Sequence, residues 1–311
     1  MNRRLIVGID LGGTNLKCCL FDSGLRIKDR SSFSTKSFID KERLIRGIAF
    51  SINNFIAKLD LSGRDIAGVG IGLPGPVDAS RGLVHFLPNI KGWKEVKLKE
   101  LLERQTGLKI FIDNDAKLMA LAEHELGAAK GYRNALCITL GTGVGGGLII
   151  GGSLYRGSDN AAGEIGHIPI NERGPVCGCG SRGCLEAYVG NSRILKDARR
   201  IFGPGITLEK LSLMAKSRNT AAAAFWEKIG GRIGLALSGA VNLLNLDAVV
   251  IGGGVAGAGK VLLESVKRNI RLRAMSVQAK RVKVLRASLG NDAGMIGAAC
   301  LVRDRILKGR C

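Results

Sequence analysis

The chain has 311 residues, 46% of them hydrophobic and 23% charged, enough for two domains around large buried cores. Its net charge is +21, but the lysines and arginines are dispersed and aromatics make up only 5%, which argues against a specific nucleic-acid function and suits phosphorylated small molecules or polyphosphate. Eight cysteines behind a start that meets Asp10 after a short apolar run argue against an export signal and a disulfide framework, so a cytoplasmic protein is the default.

The opening "RLIVGID", "LGGT", "LKCCLFD" reads as strand, turn, strand, with "DRSSFST" as a possible third strand. From Asp40, a plausible N-cap, apolar residues at Leu44, Ile45, Ile48, Ile52, Phe55, Ile56 and Leu59 recur at helical spacing. "IAGVGIGLPG" is another buried strand, and the Pro-Gly-Pro of the following "GLPGPV" fixes a rigid turn. In "FIDNDAKLMALAEHELGAAKG" Asp115 follows a strand and opens a helix.

The second half repeats the first. "ALCITLGTGVGGGLIIGGSLY" is again strand, glycine turn, strand, and an offset of 129 places Ile9 on Ile138, Leu11 on Leu140, Gly12 on Gly141, Leu20 on Ile149 and Leu25 on Leu154. This supports a duplicated unit. "IGLALSGAVNLLNLDAVVIGGG", broken by Asn242, Asn245 and Asp247, reads as a buried helix and a strand rather than a membrane span. "KVLLESVKRNIRLRA" is a further helix. Glycine-rich turns at strand ends let backbone N–H groups point at phosphate oxygens. Cys18, Cys19, Cys137 and Cys300 lie in apolar runs and are expected to be packed thiols; the terminal Cys311 carries no information.

His167, Cys177, Cys179 and Cys184 in "GHIPINERGPVCGCGSRGCLE" form a Cys3His set suited to tetrahedral Zn2+. Four protein ligands close the coordination sphere, whereas a catalytic zinc keeps a position open. The expected metal is structural.

In this order, "GIDLGGTNLK", "GIGLPGPVD", "DNDA", "LGTGVGGG", "AAGEIGH" and "CGCGSRGCLE" resemble the ROK family of sugar kinases and related repressors, in the actin-like ATPase superfamily. The resemblance spans nearly the whole chain. It implies an α/β, two-lobed, ribonuclease H-like fold with an interlobe cleft. The lobes expected are 1–114, completed by a last helix over 293–311, and 115–292, which carries the zinc motif; the crossing is expected near Asp113 to Lys117.

The resemblance also implies roles. Asp10, Gly12, Gly13 and Thr14 form a first phosphate loop, with Asp10 holding Mg2+ through water. Gly141, Thr142, Gly143, Gly145 and Gly146 form a second, and Gly252, Gly253 and Gly254 pack the adenosine of ATP. Asp115 takes the proton from the sugar 6-hydroxyl, and a helix N-terminus would hold it ionised. Gly75, Asn89, Asn114, Glu164, His167 and Glu186 line the hexose, with His167 on zinc through one ring nitrogen and on the sugar through the other. Lys117 stands where relatives commonly carry asparagine.

The activity implied is ATP-dependent phosphorylation of a hexose at the 6-hydroxyl, glucose being the best single substrate. N-acetylmannosamine and N-acetylglucosamine kinases share almost all these residues, and some relatives use polyphosphate as donor, which the +21 charge would suit. The family's repressors carry an N-terminal helix-turn-helix, for which a phosphate loop beginning at residue 10 leaves no room. Family members are usually homodimers.

Overall fold

The structure is a computed structural model that describes residues 4–36, 38, 40–87, 90 and 92–306. The expected sugar ligand Asn89 and Cys311 lie outside the described residues. The elements run β1 (Leu5–Leu11), β2 (Asn15–Phe21), β3 (Ile27–Ser34), α1 (Lys41–Lys58), β4 (Ile66–Leu73), β5 (Val77–Asp78), β6 (Leu83–Val84), α2 (Leu98–Thr106), β7 (Ile110–Asn114), α3 (Asp115–Leu126), β8 (Ala135–Leu140), β9 (Val144–Ile150), β10 (Ser153–Tyr155), α4 (Glu186–Val189), α5 (Asn191–Phe202), α6 (Leu208–Lys216), α7 (Thr220–Leu244), β11 (Ala248–Gly252), α8 (Lys260–Arg273), α9 (Ser276–Arg281), β12 (Lys283–Arg286) and α10 (Ala293–Ile306). They form two compact units. Among the described residues no helix is long and apolar enough to cross a membrane.

The first unit comprises Met1–Glu125, Arg156–Ala162 and Asn291–Cys311. Its sheet has the order β3-β2-β1-β4-β7. β1–β2 and β2–β3 are antiparallel, while β1–β4 and β4–β7 are parallel. Every residue of the central β4 is buried, while the edge strand β3 is mostly solvated, as expected for a strand covered on both faces and one at the rim. Helix α1 buries Leu44, Ile45, Ile48, Ile52, Phe55 and Ile56, and its N-terminus is capped by Asp40 through the Arg43 amide. The cap satisfies one of the donors that the helix cannot pair internally.

Helix α10 lies against this sheet by close backbone approach. A Cβ on Gly8 would sit 2.2 Å from the Met295 carbonyl oxygen, and one on Gly70 would sit 2.0 Å from that of Ala298. Gly297 allows the same approach to Leu118 of α3, at 1.9 Å from its carbonyl oxygen. Side chains at these positions would push the helix off the strands. The C-terminal helix therefore completes the first unit. The unit runs on through α3 to Glu125 and takes in residues 156–162, whereas the sequence suggests a boundary after Asn114. The physical reason is that α3 packs on α10 through Gly297.

The second unit comprises Leu126–Tyr155 and Gly163–Gly290. Its sheet, β10-β9-β8-β11-β12, has the same order and strand directions as the first. Helices α7 and α8 pack closely because a Cβ on Gly230 or Gly234 would come within 2.6 Å of Ser265 or Asn269 respectively. Trp226 of α7 is fully buried in the second core. Cys18, Cys19, Cys137 and Cys300 are buried and lie outside any disulfide, and burial pushes Cys18 up to about 12 and Cys19 up to about 11. They are packing groups rather than nucleophiles.

Candidate functional site

In the first unit the candidate residues lie at the carboxyl ends of three parallel strands. Asp10 of β1 pairs in register with Gly72 of β4, and Leu73 of β4 pairs with Asn114 of β7. This aligns Asp10, the Pro74–Gly75 turn and the Asn114–Asp115 corner along one edge, the usual ligand edge of a parallel sheet. Gly294 at the start of α10 makes room for Asp10: a Cβ there would lie 2.7 Å from its carboxyl carbon. Burial raises the Asp10 carboxyl above its ordinary range, partly offset by Lys17, so a cation beside it would be welcome. The Gly12–Thr14 turn is exposed, and Gly12 N–H closes it on the Asn15 carbonyl at 2.9 Å.

The corner between β7 and α3 is capped by Asn114, not by Asp115. Asn114 Oδ1 accepts from Ala116 N (3.0 Å) and Lys117 N (3.2 Å), while Nδ2 donates to the Gly75 carbonyl (3.0 Å). The amide thus joins the helix start to the Gly75 turn, where φ is +93°, a backbone that favours glycine. Asp115 sits in the first helical turn and accepts from Ala116 N at 2.7 Å. Lys117 is buried, and its Nζ donates to the Asn160 carbonyl.

In the second unit the β8–β9 turn is Gly141–Gly143, closed by Gly141 N–H to the Gly143 carbonyl at 2.9 Å. Thr142 is exposed, and Gly145 and Gly146 lie in β9. Gly252 ends β11 opposite Thr139 of β8. Gly253, at φ +83°, would place a Cβ 2.2 Å from the Leu140 carbonyl oxygen. The Gly252–Gly254 run therefore abuts the strand that leads into the Gly141 turn, which brings two glycine-rich loops together within this unit.

The Cys/His segment folds back on itself through short backbone bonds. Cys177 N–H meets the Ser181 carbonyl (2.8 Å), Gly180 N–H meets that of Cys177 (3.0 Å), and Gly183 N–H meets that of Pro175 (2.8 Å). Gly183 is needed here, because a Cβ would fall 1.6 Å from the Asn171 carbonyl oxygen. The result gathers one donor atom from each of His167, Cys177, Cys179 and Cys184 within 4.8 Å of one another. Cys177 Sγ stands 3.7 Å from His167 Nδ1, and Cys179 Sγ stands 3.7 Å from Cys184 Sγ. Sulfur ligands about 2.3 Å from a tetrahedral zinc lie at such separations, so donor type and spacing fit that ion. Burial pushes the Cys177 thiol up to about 12 and raises Cys184, while the Ser181 backbone hydrogen bond lowers the exposed Cys179. Burying several sulfur atoms together is unfavourable to thiolates unless a cation joins them.

Glu186 connects this cluster to the glycine turn. Its Oε2 accepts from Val144 N at 2.9 Å, and its Oε1 lies 3.8 Å from Cys177 Sγ. Gly143 allows the approach, since a Cβ there would lie 2.5 Å from Oε2. One carboxylate oxygen is thus already engaged by the β8–β9 turn. Glu164 is exposed, and its carbonyl accepts the His167 amide at 3.1 Å. A group that sequence reasoning passed over is the fully buried Asp113, whose carboxylate pairs with Arg156 at 2.8 Å. The only signal was its place in "DNDA"; Arg156, 43 residues away, gave none.

The chain is 36% identical to a glucokinase of Halalkalibacterium halodurans, over 98% of this chain and 97% of that one. Among solved structures it is similar to a ROK family glucokinase from Streptomyces griseus in complex with glucose and AMPPNP. That likeness has 32% identity and TM-score 0.82, and covers 96% of this chain and 99% of that one. It is also similar to a ROK family transcriptional regulator, a homologue of the E. coli MLC protein, at 25% identity and TM-score 0.89, covering 99% of this chain and 80% of the regulator. The ROK family model matches residues 6–305, and with two like sheets and the glycine and Cys/His motifs in place, the chain belongs to the ROK family.

Proposed function

We propose that this protein is an ATP-dependent hexose kinase of the glucokinase type, moving the γ-phosphoryl group of ATP to the sugar 6-hydroxyl. The observation that carries the reading is likeness to glucokinases over almost the full length of both chains. It is supported by the Asn114 cap, which leaves Asp115 in the first turn of α3. Asp115 accepts the proton of the attacking hydroxyl, while the glycine turns at Gly12–Thr14 and Gly141–Gly143 offer N–H groups to phosphate oxygens. Phosphoryl transfer depends mainly on positioning and charge, so a carboxylate at a helix start is well placed to orient the hydroxyl. Mg2+ held through water by Asp10 would offset phosphate charge. Gly252–Gly254 takes the adenosine.

Asn114, Gly75, Asn89, Glu164, His167 and Glu186 are assigned to the hexose. Zn2+ on His167, Cys177, Cys179 and Cys184 would hold the segment from Glu164 to Glu186 in one shape, and would fix the orientation of the His167 ring. It supplies rigidity and no bond-making step. The fold in this reading is the actin-like ATPase type, and the donor is a nucleotide.

The test is phosphoryl transfer by zinc-loaded protein with ATP and Mg2+ over glucose, mannose, N-acetylglucosamine and N-acetylmannosamine, with polyphosphate as a parallel donor. Turnover of glucose above the other sugars is the expected result. The similarity to a transcriptional regulator favours a second reading, a sugar-binding protein without catalysis. Glucose binding by calorimetry with no turnover would select that reading.

A further inference from the structure

The chain leaves the second unit after Tyr155, contributes Arg156–Ala162 to the first unit, and returns at Gly163. This excursion is a closed loop: Ala162 N–H bonds the Arg156 carbonyl at 2.9 Å. Gly157, at φ +72°, packs against Ala162, and Asn160 adopts φ +58°. Two clamps hold it. Arg156 donates from Nε (3.1 Å) and Nη2 (2.8 Å) to Asp113 Oδ2. Asn160 donates from Nδ2 to Asp78 Oδ1 at 3.0 Å, and its carbonyl accepts from Lys117 Nζ.

The first clamp reaches the corner that holds Asp115. With Oδ2 taken by Arg156, the other oxygen of Asp113 accepts from Asn114 N at 2.9 Å. Asn114 in turn caps α3 and bonds the Gly75 carbonyl. The Asp113 side chain is fully buried and that of Arg156 is 19% exposed, so the pair is little screened by solvent. A guanidinium grips one carboxylate oxygen from two nitrogens, which a lysine ammonium, as a point charge, cannot reproduce.

We propose that Arg156 is a positioning residue for phosphoryl transfer: through Asp113 and the Asn114 amide it fixes the β7–α3 corner and with it the Asp115 carboxylate. The inference rests on the kinase reading. Arg156 touches no reacting atom, so its loss leaves nucleotide binding in place and misplaces the base. A small displacement of a catalytic group lowers turnover by up to about 100-fold.

Arg156→Lys keeps the charge and is the primary variant, since Arg156→Ala strands a buried carboxylate and risks misfolding. The exposed Arg104–Glu100 pair supplies a control, Arg104→Lys. Steady-state kinetics and amide hydrogen exchange are measured on the same zinc-loaded preparations. The expected result for Arg156→Lys is kcat lowered about tenfold or more, an unchanged KM for ATP, and faster exchange confined to residues 114–118. Arg104→Lys should match the unaltered protein. Turnover like that of the unaltered protein overturns the proposal, whatever the exchange shows. Lowered kcat without faster exchange at the corner also overturns it, because Arg156 would then act by another route. An unaltered protein that phosphorylates no sugar refutes the kinase reading. The proposal falls with it, and faster exchange would then mark Arg156 as a purely structural clamp.

Discussion

The two sheets share strand order and directions, yet the chain diverges between them beyond the third strand. In the first unit β3 ends at Ser34 and α1 begins at Lys41. In the second, β10 ends at Tyr155 and the next full helix, α5, begins at Asn191. The intervening chain holds the Arg156–Ala162 loop, Glu164, the Cys/His cluster and Glu186. A duplicated frame can present two similar glycine turns. Recognition of one particular acceptor needs something that only one copy has. In the proposed kinase the longer insertion would carry sugar specificity, and the shared turns would carry phosphate contact.

The largest effect should come from the corner that the first unit alone contributes. Asp115→Asn keeps size and the helix start but removes the proton acceptor. It should lower kcat about 1,000-fold with little change in ATP affinity. Steady-state kinetics with glucose and a nucleotide-binding titration check this. A variant with kcat near normal would remove Asp115 from the chemistry.

The next effect sharpens the contrast by removing what the insertion adds. Cys179→Ala takes one donor from the cluster, and metal affinity should fall more than about tenfold. Zinc content by elemental analysis and hexose KM should change together, while ATP KM stays. Normal hexose affinity in a zinc-free protein would disconnect the metal from the sugar.

The matched strands β2 and β9 also show how much was legible in the sequence. The 129-residue offset carries Asn15–Phe21 onto Val144–Ile150, and it was visible because apolar strand residues and turn glycines recur in a fixed order. It fails for β3, which is eight residues long against three for β10. A solvated edge strand has little apolar patterning to conserve its length. The Cys3His set was legible because three cysteines and a histidine so close together in a glycine-rich loop suit a metal by type, although the fold buries Cys177 and Cys184. The Asp113–Arg156 pair was not, since long-range ion pairs leave no local periodicity. Nor did the motif reveal that Asn114 caps α3, because either residue of "ND" suits a cap by type.

The same two strands yield a stability test. Gly146 in β9 stands where β2 has Lys17. A Cβ on Gly146 would lie 2.3 Å from the Gly163 carbonyl oxygen and 2.9 Å from Ile165 Cγ2, so the insertion packs on β9 only because that position is bare. Gly146→Ala should destabilise the protein by about 1–3 kcal/mol, the cost of overpacking. The reverse change, Lys17→Gly, should cost about 1 kcal/mol or less, a strand glycine's entropy. Denaturant midpoints measure both. A larger loss for Lys17→Gly would show that the first sheet is the more tightly specified.

A smaller effect than that of Gly146→Ala belongs to the β5–β6 hairpin, which has no counterpart among the described residues of the second unit. Asp78 Oδ1 accepts from Ser80 N and Arg81 N, both at 3.0 Å, and from Asn160 Nδ2. Burial pushes its carboxyl up, but the Ser80 and Arg81 hydrogen bonds outweigh this and hold it below the usual range. A carboxyl lowered on folding stabilises the protein above its unfolded-state pKa, and that contribution is lost as pH falls through the lowered value. Asp78→Ala should therefore cost about 1 kcal/mol at pH 7, and less as the pH is lowered through the carboxylate range. Thermal unfolding of both proteins from pH 7 down to acid reads the difference. A gap that stays constant with pH would mean that the hairpin depends on the shape of the side chain and not on its charge, since only the charged form accepts all these bonds at full strength.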